Sequence, residues 1–259
     1  DVCASSIKET YYLHDKHYKL PTYSEHGLKG YERYFSHYQN ESIVLEATPT
    51  YLYQETALKV LSKFQPQPDL YVILRKPSER IYSRFKAHKY RIGWIDESTS
   101  FRAFVENGGI LSERDRYGEV DRSDYVKYLK NWYNHFPESK IHILIFEELT
   151  KNPLLHLGKI SKTLNIDKSF WKEEHLKHRN ESIKTKNKLL HRFGVWLTPF
   201  IPQKFQDFLL PIYMKVNADK VPGKSNEDLE VLKELDIKFK PQVQELKELT
   251  GIDCSIWYQ

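Results

Sequence analysis

The sequence predicts an α/β fold in which a central, mostly parallel sheet is flanked by helices. Three short apolar runs rich in β-forming residues, at Ile43–Leu45, Leu70–Leu74 and 141–146, are typical of buried strands. Segments with helical periodicity separate the last two runs, and alternation of strands with helices is characteristic of α/β proteins. The 259 residues are enough for one large domain, so we predict a single domain over residues 1–259.

The individual elements follow from apolar spacing and from residues that start or stop a helix. Residues 8–13 form a short β-prone run, and Pro77 with Ser78 opens a helix directly after the strand Leu70–Leu74. The other predicted helices are residues 54–64, a short amphipathic segment ending at Gly108 and Gly109, residues 125–136, a segment capped by Asn152 that runs to Leu164, and two consecutive helices between Ser225 and Gly251.

Composition narrows the classes of function. The formal net charge is +5, from 40 basic and 35 acidic residues, which favours an anionic cofactor or substrate but is too diffuse to indicate nucleic acid. Cys3 and Cys254 are too few for a disulfide framework, although they could pair, and no cluster of metal ligands is visible. We therefore expect no bound metal. No apolar stretch reaches the length of a membrane-spanning helix, so we expect no membrane association. The sequence does not indicate an oligomeric state.

Residues 69–85 contain the most informative pattern. Arg75 follows a predicted strand, and Ser83 lies about two turns into the next helix. Ligands of open α/β sheets bind beyond the carboxyl ends of strands, where a guanidinium and a hydroxyl suit a phosphate group. On spacing alone, an Arg75 paired with a surface carboxylate and a solvent-facing Ser83 are the simpler interpretation.

The stretch from Leu74 to Ser83, Leu-Arg-x-Pro-x-x-Arg-x-x-Ser, resembles the 3′-phosphate-binding motif of sulfotransferases that use 3′-phosphoadenosine-5′-phosphosulfate (PAPS). The resemblance implies that Arg75 and Ser83 hold the 3′-phosphate of the nucleotide. It also implies that Tyr117 and Lys224, which stand where this family often has further cofactor contacts, bind the cofactor.

Two further stretches resemble the acceptor side of glycan sulfotransferases and their bacterial relatives. Lys8-Glu9 followed by two tyrosines is similar to a segment whose glutamate is the general base, so Glu9 is the implied catalytic residue and Lys8 an acceptor contact. Glu46, Thr48 and Tyr51 match a Glu-x-Thr-Pro-x-Tyr motif and are implied to bind the acceptor. Position 47 is Ala where heparan sulfate enzymes have a catalytic Lys, which disfavours a heparan-type acceptor.

Later segments resemble the family more loosely. Residues 178–182 are similar to an Asn-x-Ser segment beside the cleft of bacterial sulfotransferases, and residues 189–214 are predicted to be a lid or packing segment. Gly223-Lys224-Ser225 is similar to the end of a Walker A loop, but position 218 is Ala instead of the required Gly, so we reject a Walker A motif.

Family members begin with a strand and a Pro-Lys-x-Gly-Thr-Thr type loop that holds the 5′-phosphosulfate. Asp1-Val2 corresponds to a point just after that region, so we expect the first strand and loop to lie upstream of Asp1 in the parent protein. The alternative is a natural start at this point, which would make the domain degenerate. Without backbone amides and a Lys at this position, the sulfuryl group would lose its main electrostatic support. Residues 1–259 alone are therefore predicted to transfer no sulfate, and PAPS-dependent transfer by this chain would refute that.

Together these resemblances imply a PAPS-dependent sulfotransferase that acts on a hydroxyl acceptor, with a carbohydrate favoured over a lipid, a small metabolite or a tyrosine. The alternatives are a nucleotide-binding domain without catalysis and a different P-loop enzyme such as a kinase. A cytoplasmic location is expected from the bacterial members, and the Golgi lumen is the alternative if an upstream anchor has been lost.

Overall fold

The structure is a computed structural model, and it describes residues 2–15, 22–111, 117–172, 176, 183–185 and 217–258. Contacts divide the chain into two compact units. The first unit comprises Asp1–Arg75, Tyr125–Lys177 and Gln242–Gln259, and the second comprises Lys76–Asp124 and His178–Pro241. The segments 178–182 and 189–214, for which the sequence suggested roles, lie outside the described residues.

Short strands alternate with helices along the chain. The strands are β1 (Val2–Ala4), β2 (Ile43–Leu45), β3 (Leu70–Leu74), β4 (Ile141–Ile145), β5 (Ile183–Thr185) and β6 (Ala218–Lys220). The α-helices are α1 (Tyr23–Glu32), α2 (Glu55–Leu61), α3 (Pro77–Lys86), α4 (Phe101–Glu106), α5 (Tyr125–Tyr133), α6 (Phe146–Lys151), α7 (Pro153–Thr163) and α8 (Asn226–Thr250).

The strands of the first unit pair in parallel. β1 lies beside β2, with Val2 opposite Ile43, and β3 lies beside β4, with Val72 opposite Ile143. Parallel strands separated by helices are the arrangement that the sequence predicted. β5 and β6 of the second unit form an antiparallel pair.

Aromatic and aliphatic side chains form the cores. One cluster of the first unit contains Tyr12, Tyr31, Tyr51 and Trp132, and another contains Leu74, Leu129 and Trp257. The second unit has a cluster in which α3 and α4 contribute Ile81, Phe85, Phe101 and Phe104, and α8 contributes Val231, Leu235 and Phe239. The helix faces in these clusters are those with apolar residues at helical spacing.

Two predictions about the strands were wrong. Residues 8–13 are not a strand, because Glu9 and Tyr11 adopt left-handed backbone conformations, with φ of 57° and 52°. β2 and β3 are strands, but they are not fully buried, since Val44 is 53% exposed and Ile73 is 54% exposed. Described residues pack against only part of each strand surface, so apolar composition overstated the burial.

The helix predictions were closer, with four corrections. α2 ends at Leu61, before the predicted end at residue 64. α5 ends at Tyr133, before the predicted end at residue 136. Asn152 stands at the N-cap of α7 but makes no side-chain capping hydrogen bond. The two helices predicted after Ser225 are one helix, α8, that continues through Pro241. Ser225 does cap this helix by accepting a hydrogen bond from the backbone N–H of Asp228 at 3.1 Å.

Both cysteines, Cys3 and Cys254, are buried free thiols. In the part of the chain that the structure describes, no helix is both long enough and apolar enough to cross a membrane.

Candidate active site

The loop that follows β1 carries Glu9. Its backbone stays beside β2 at first, because the N–H of Ser5 donates to the carbonyl of Leu45 at 2.9 Å. The hydroxyl of Tyr11 donates a hydrogen bond to the carboxylate of Glu9. Both residues are half-buried and left-handed, so the loop holds this pair of side chains in a strained backbone. Glu9 therefore has a defined orientation and a hydroxyl partner.

Glu46 lies directly after β2, at the same edge of the sheet. Since β1 and β2 are parallel, their carboxyl ends meet, and the segments that follow them come together. One carboxylate oxygen of Glu46 accepts hydrogen bonds from the backbone N–H and the hydroxyl of Thr10, at 3.4 and 3.1 Å, and from the hydroxyl of Thr48. Topology thus places Glu46 beside the residue that follows Glu9.

Tyr51 completes this polar network. Its hydroxyl lies 2.8 Å from the hydroxyl of Thr10 and accepts a hydrogen bond from the backbone N–H of Leu13 at 3.2 Å. The backbone N–H of Tyr11 donates to the hydroxyl of Thr48 at 3.4 Å. We call Glu46, Thr10, Thr48 and Tyr51 the Glu46 network. Every hydrogen-bond donor to Glu46 in this network is a neutral group.

Burial sets the protonation behaviour of the network. It raises the pKa of Glu46 above that of an ordinary glutamate, and the negative charge of Glu9 raises it further, although hydrogen bonds from Thr48 and Thr10 oppose the change. Burial likewise raises the pKa of Tyr51, and the charge of Glu46 adds to the effect. These residues therefore lie in an environment that disfavours negative charge.

The structure brings together four of the five acceptor-side residues that the sequence suggested. Glu9, Glu46, Thr48 and Tyr51 share one hydrogen-bonded region, whereas Lys8 is exposed and makes no described contact with it. Thr10 and Tyr11 also belong to this region, although the sequence suggested no role for either. Tyr11 stands within the aromatic part of the Lys-Glu motif, but no feature of the sequence distinguishes Thr10 from other threonines.

Arg75 follows β3 in the first unit. Its guanidinium lies 5.1 Å from the centre of the Phe146 ring, and its carbonyl accepts a hydrogen bond from the hydroxyl of Tyr125 at 2.8 Å. A guanidinium over an aromatic ring gains a cation–π interaction, and its planar set of N–H donors matches planar acceptors such as carboxylate and phosphate. The donor chemistry of Arg75 therefore suits a phosphate.

The other predicted cofactor residues belong to the second unit. Ser83 is half-buried on α3, and Tyr117 is half-buried after a segment outside the described residues. Lys224 forms an ion pair with Glu79, and its ammonium lies 5.5 Å from the centre of the Tyr82 ring. A ligand that binds Lys224 would therefore compete with Glu79.

A second carboxylate site in this unit was not predicted. Glu119 is fully buried and forms ion pairs with Arg80 at 2.8 Å, Arg84 at 3.1 Å and Arg122 at 3.3 Å. Burial alone would raise the pKa of Glu119, but the three guanidinium groups outweigh it and lower the pKa. Arg80 also donates to the hydroxyl of Ser123 at 3.0 Å, so this cluster joins α3 to the segment after Glu119. We call it the Glu119 cluster.

The described residues contain no candidate metal site, since nowhere in them do three or more His, Cys, Asp or Glu side chains converge on one point.

Comparison with known proteins identifies the family. Residues 7–191 match the family described as the sulfotransferase domain, so the chain belongs to the sulfotransferase family. This confirms the family resemblance of the sequence motifs. The match covers the Glu9 loop, the Glu46 network, Arg75 and Ser83.

Related proteins of known description agree with this assignment. Over 147 residues, the chain is 29% identical to the bifunctional heparan sulfate N-deacetylase/N-sulfotransferase 1 of Caenorhabditis briggsae, and the match covers 54% of the chain and 17% of the relative. Over 146 residues it is 24% identical to the mouse heparan sulfate glucosamine 3-O-sulfotransferase 5, and the match covers 54% of the chain and 41% of the relative. The chain thus spans less than half the length of either relative.

A solved structure supports the fold. The crystal structure of a sulfotransferase from Alicyclobacillus acidocaldarius aligns over 100% of the chain and 89% of its own length, with a TM-score of 0.62 and 16% sequence identity. At this identity the likeness establishes the fold, and it agrees with the predicted α/β class.

Proposed function

We propose that this protein transfers a sulfuryl group from PAPS to a hydroxyl group of a carbohydrate. The observation that carries the proposal is the position of Glu9, whose carboxylate lies in a polar loop next to the Glu46 network. Family membership and the relatives named above, which are described as heparan sulfate sulfotransferases, support sulfuryl transfer to a glycan.

Glu9 is the proposed general base. A sugar hydroxyl is a poor nucleophile, and a positioned carboxylate can accept its proton as the oxygen bonds to sulfur. Tyr11 donates to Glu9 and orients the carboxylate, while Thr48 and Tyr51 supply hydroxyl groups that can hydrogen-bond a polyhydroxylated acceptor. Positioning of this kind lowers the barrier because the acceptor and the base no longer have to meet by chance.

Arg75, Ser83, Tyr117 and Lys224 are the residues that we propose to hold the nucleotide. The guanidinium and ammonium groups match phosphate charge, and the hydroxyl groups can donate to phosphate oxygens. When bound, PAPS supplies the sulfuryl group and leaves as adenosine 3′,5′-bisphosphate. Residues of this set need no metal ion to bind phosphate, and we propose none.

The acceptor is the least defined part of the proposal. Ala47 removes the Lys that heparan sulfate enzymes place next to this glutamate, so a glycan other than heparan sulfate is preferred. The cytoplasmic location that we predicted from the sequence is retained as part of the proposal.

Titration calorimetry with adenosine 3′,5′-bisphosphate, without metal, tests the nucleotide site. The chain should bind the nucleotide, and Arg75→Ala should weaken binding at least about tenfold, because a charge-assisted hydrogen bond contributes about 1.5–3 kcal/mol. Glu9→Gln is the matched control and should bind with unchanged affinity, since Glu9 is assigned to the acceptor side.

Two results would count against the proposal. Equal affinity of the parent chain and Arg75→Ala would remove Arg75 from the nucleotide site. Absence of binding both by this chain and by a chain extended upstream to include the phosphosulfate loop would contradict a PAPS site in these residues. Because residues 1–259 alone are predicted to transfer no sulfate, the non-catalytic nucleotide-binding alternative is tested on a chain extended upstream. Tight nucleotide binding by that longer chain together with failure to modify any glycan would favour the alternative.

A further inference from the structure

The helix α7 is rich in aliphatic residues but leaves them uncovered. It contains Leu154, Leu155, Leu157 and Ile160, and none of these four side chains is buried, whereas Ser161 is. Leu155 is 57% exposed and Leu154 is 37% exposed. A surface helix normally packs its apolar stripe against the core, so α7 presents apolar surface that the first unit leaves open.

The segment after α7 adds an exposed aromatic ring. The indole N–H of Trp171 donates to the hydroxyl of Ser161 at 2.8 Å, so this segment lies beside the third turn of the helix. The ring of Phe170 is edge-on to the ring of Trp171, with 5.2 Å between their centres, and Phe170 is 63% exposed. We call residues 151–172, from the end of α6 to this turn, the α7 surface.

Positive charge accompanies these apolar groups. The α7 surface has one acidic residue, Asp167, and five lysines, all of them exposed: Lys151, Lys159, Lys162, Lys168 and Lys172. Five positive charges and one negative charge give this stretch a net charge of +4, whereas the whole chain has +5. The basic excess of the protein, which is small for the chain as a whole, therefore lies mostly in this one stretch.

The apolar and basic groups share one side of the helix. Leu155, Lys159 and Lys162 are spaced by four and three residues, which places them on one face of α7. Leu155 and Ser161 are six residues apart, or about 9 Å along the helix axis, and Phe170 lies next to Trp171 at Ser161. The α7 surface thus combines apolar side chains with ammonium groups over about two turns of helix.

This combination suits an anionic bilayer better than a protein partner. Lysine is depleted in protein–protein interfaces, whereas segments that lie in the membrane interface combine lysines with Leu, Phe and Trp. Apolar side chains enter the boundary of the acyl chains, and the ammonium groups remain among the lipid phosphates. Charges of nearly one sign are complementary to a surface of uniform negative charge.

We propose that the α7 surface docks on a membrane that contains anionic lipids, with Leu155 and Phe170 inserted at the level of the headgroups and the lysines against lipid phosphates. The sequence predicted no membrane association because it contains no membrane-spanning stretch, but a segment that lies on the bilayer needs none. The inference goes beyond the proposed function and does not depend on it, because docking requires neither the nucleotide nor the acceptor. Docking would concentrate the protein at a lipid surface.

Sedimentation of the full chain with lipid vesicles tests the docking. One set of vesicles is phosphatidylcholine, and the other is an equal mixture of phosphatidylcholine and phosphatidylglycerol. The chain should bind the mixed vesicles and should bind the neutral vesicles at least about tenfold more weakly. Lys159→Met with Lys162→Met keeps the apolar stems and should weaken binding to the mixed vesicles at least about tenfold, since each lysine near an anionic surface contributes a factor of about five.

A second variant removes the apolar groups and keeps every charge. Leu155→Ser with Phe170→Ser should weaken binding to the mixed vesicles about tenfold, because two side chains that enter the interface are lost. Since these side chains are exposed, the variant should unfold in urea at the same midpoint as the parent, which shows that the loss is not caused by unfolding.

The matched controls lie on α8. Leu229→Ser with Ile237→Ser removes two exposed apolar side chains, and Lys238→Met with Lys240→Met removes two exposed charges. Both controls should bind the mixed vesicles like the parent.

Equal binding of the parent to both kinds of vesicle would overturn the proposal, and so would equal losses in the α7 variants and their controls. Unchanged binding by Leu155→Ser with Phe170→Ser would also overturn it, because adsorption by charge alone needs no apolar surface. Size-exclusion chromatography without vesicles examines a second copy of the chain as the occupant. A parent dimer that this variant converts to a monomer, together with no vesicle binding by the parent, would assign the α7 surface to self-association and overturn the proposal.

Discussion

The two units each contain a buried or half-buried glutamate in a polar network, and the two networks differ in the charge of the donors. Glu46 accepts hydrogen bonds from Thr10 and Thr48, which are neutral, and its pKa is raised. Glu119 faces Arg80, Arg84 and Arg122, and its pKa is lowered. Burial acts in the same direction on both carboxyl groups, so the partners decide the outcome.

This difference distinguishes a carboxylate held by cations from a carboxylate that neutral groups hold. Three guanidinium groups keep Glu119 ionised and fix it in place, which joins α3 to the segment after Glu119. Among the described residues, the hydrogen-bond donors to Glu46 are neutral, so its protonation can respond to a ligand or to Glu9. Candidate active sites are favoured where a perturbed pKa is not already explained by a full set of opposite charges.

Removal of the Glu119 carboxylate should give the largest effect. Glu119→Gln leaves three arginines without their shared anion, and loss of one partner of a buried ion pair typically costs about 3–5 kcal/mol in the free energy of unfolding. Urea denaturation at pH 7 measures it. Glu234→Gln is the control, since Glu234 pairs with Arg102 at the surface and should contribute less than about 1 kcal/mol. Similar losses in the two variants would show that the Glu119 cluster is not structural.

Removal of a neutral donor should give a smaller effect. Tyr51→Phe deletes the hydroxyl that lies between Thr10 and the backbone N–H of Leu13, and we expect a loss of about 1 kcal/mol in the free energy of unfolding. The comparison variant is Tyr38→Phe, because Tyr38 is largely exposed and should be neutral. A loss as large as that for Glu119→Gln would contradict the distinction between the networks.

The pH dependence of stability should be the smallest effect. It separates Glu46 from Glu119 most clearly, because the two residues should change stability with pH in opposite directions. Because the folded pKa of Glu46 is raised, its contribution is present at low pH and is lost as pH rises above the ordinary glutamate pKa. The folded pKa of Glu119 is lowered, so its contribution is present above the ordinary pKa and is lost as pH falls below it. Glu46→Gln should therefore gain stability relative to the parent as pH rises, and Glu119→Gln should lose it.

Urea titrations across this pH range measure both slopes. Slopes of the same sign for the two variants would show that the donors do not control the two carboxyl groups. Glu32→Gln, an exposed substitution in the same unit as Glu46, is the control for removal of a surface carboxylate.

The sequence predicted much of the fold and part of the candidate site. The strands Leu70–Leu74 and Ile43–Leu45 have the predicted bounds, because short apolar runs between polar turns leave few alternatives. Glu9, Glu46, Thr48 and Tyr51 lie together because their motifs follow adjacent parallel strands. The family motifs place functional residues after the ends of strands, so a match to the motifs predicts that these residues lie close together.

Other features depend on contacts between distant segments, which local patterns do not encode. The exposure of Val44 and Ile73 depends on what covers each strand and not on its composition. Thr10 joins Glu46 across 36 positions, and the burial of Glu119 requires arginines from two segments. Tyr11 belongs to an aromatic motif in the sequence, but the left-handed backbone that turns its hydroxyl toward Glu9 is a property of the folded loop.

The left-handed conformations of Glu9 and Tyr11 lower the stability of the fold while they position the side chains to which we assign a function. Each costs about 1–2 kcal/mol relative to an ordinary backbone, and glycine would relieve the strain at either position. A screen that rewards only thermal stability would therefore favour glycine at position 9 and would discard the carboxylate that we propose as the base. Selection for stability alone would replace Glu9 and Tyr11, whereas we expect selection for activity to keep them.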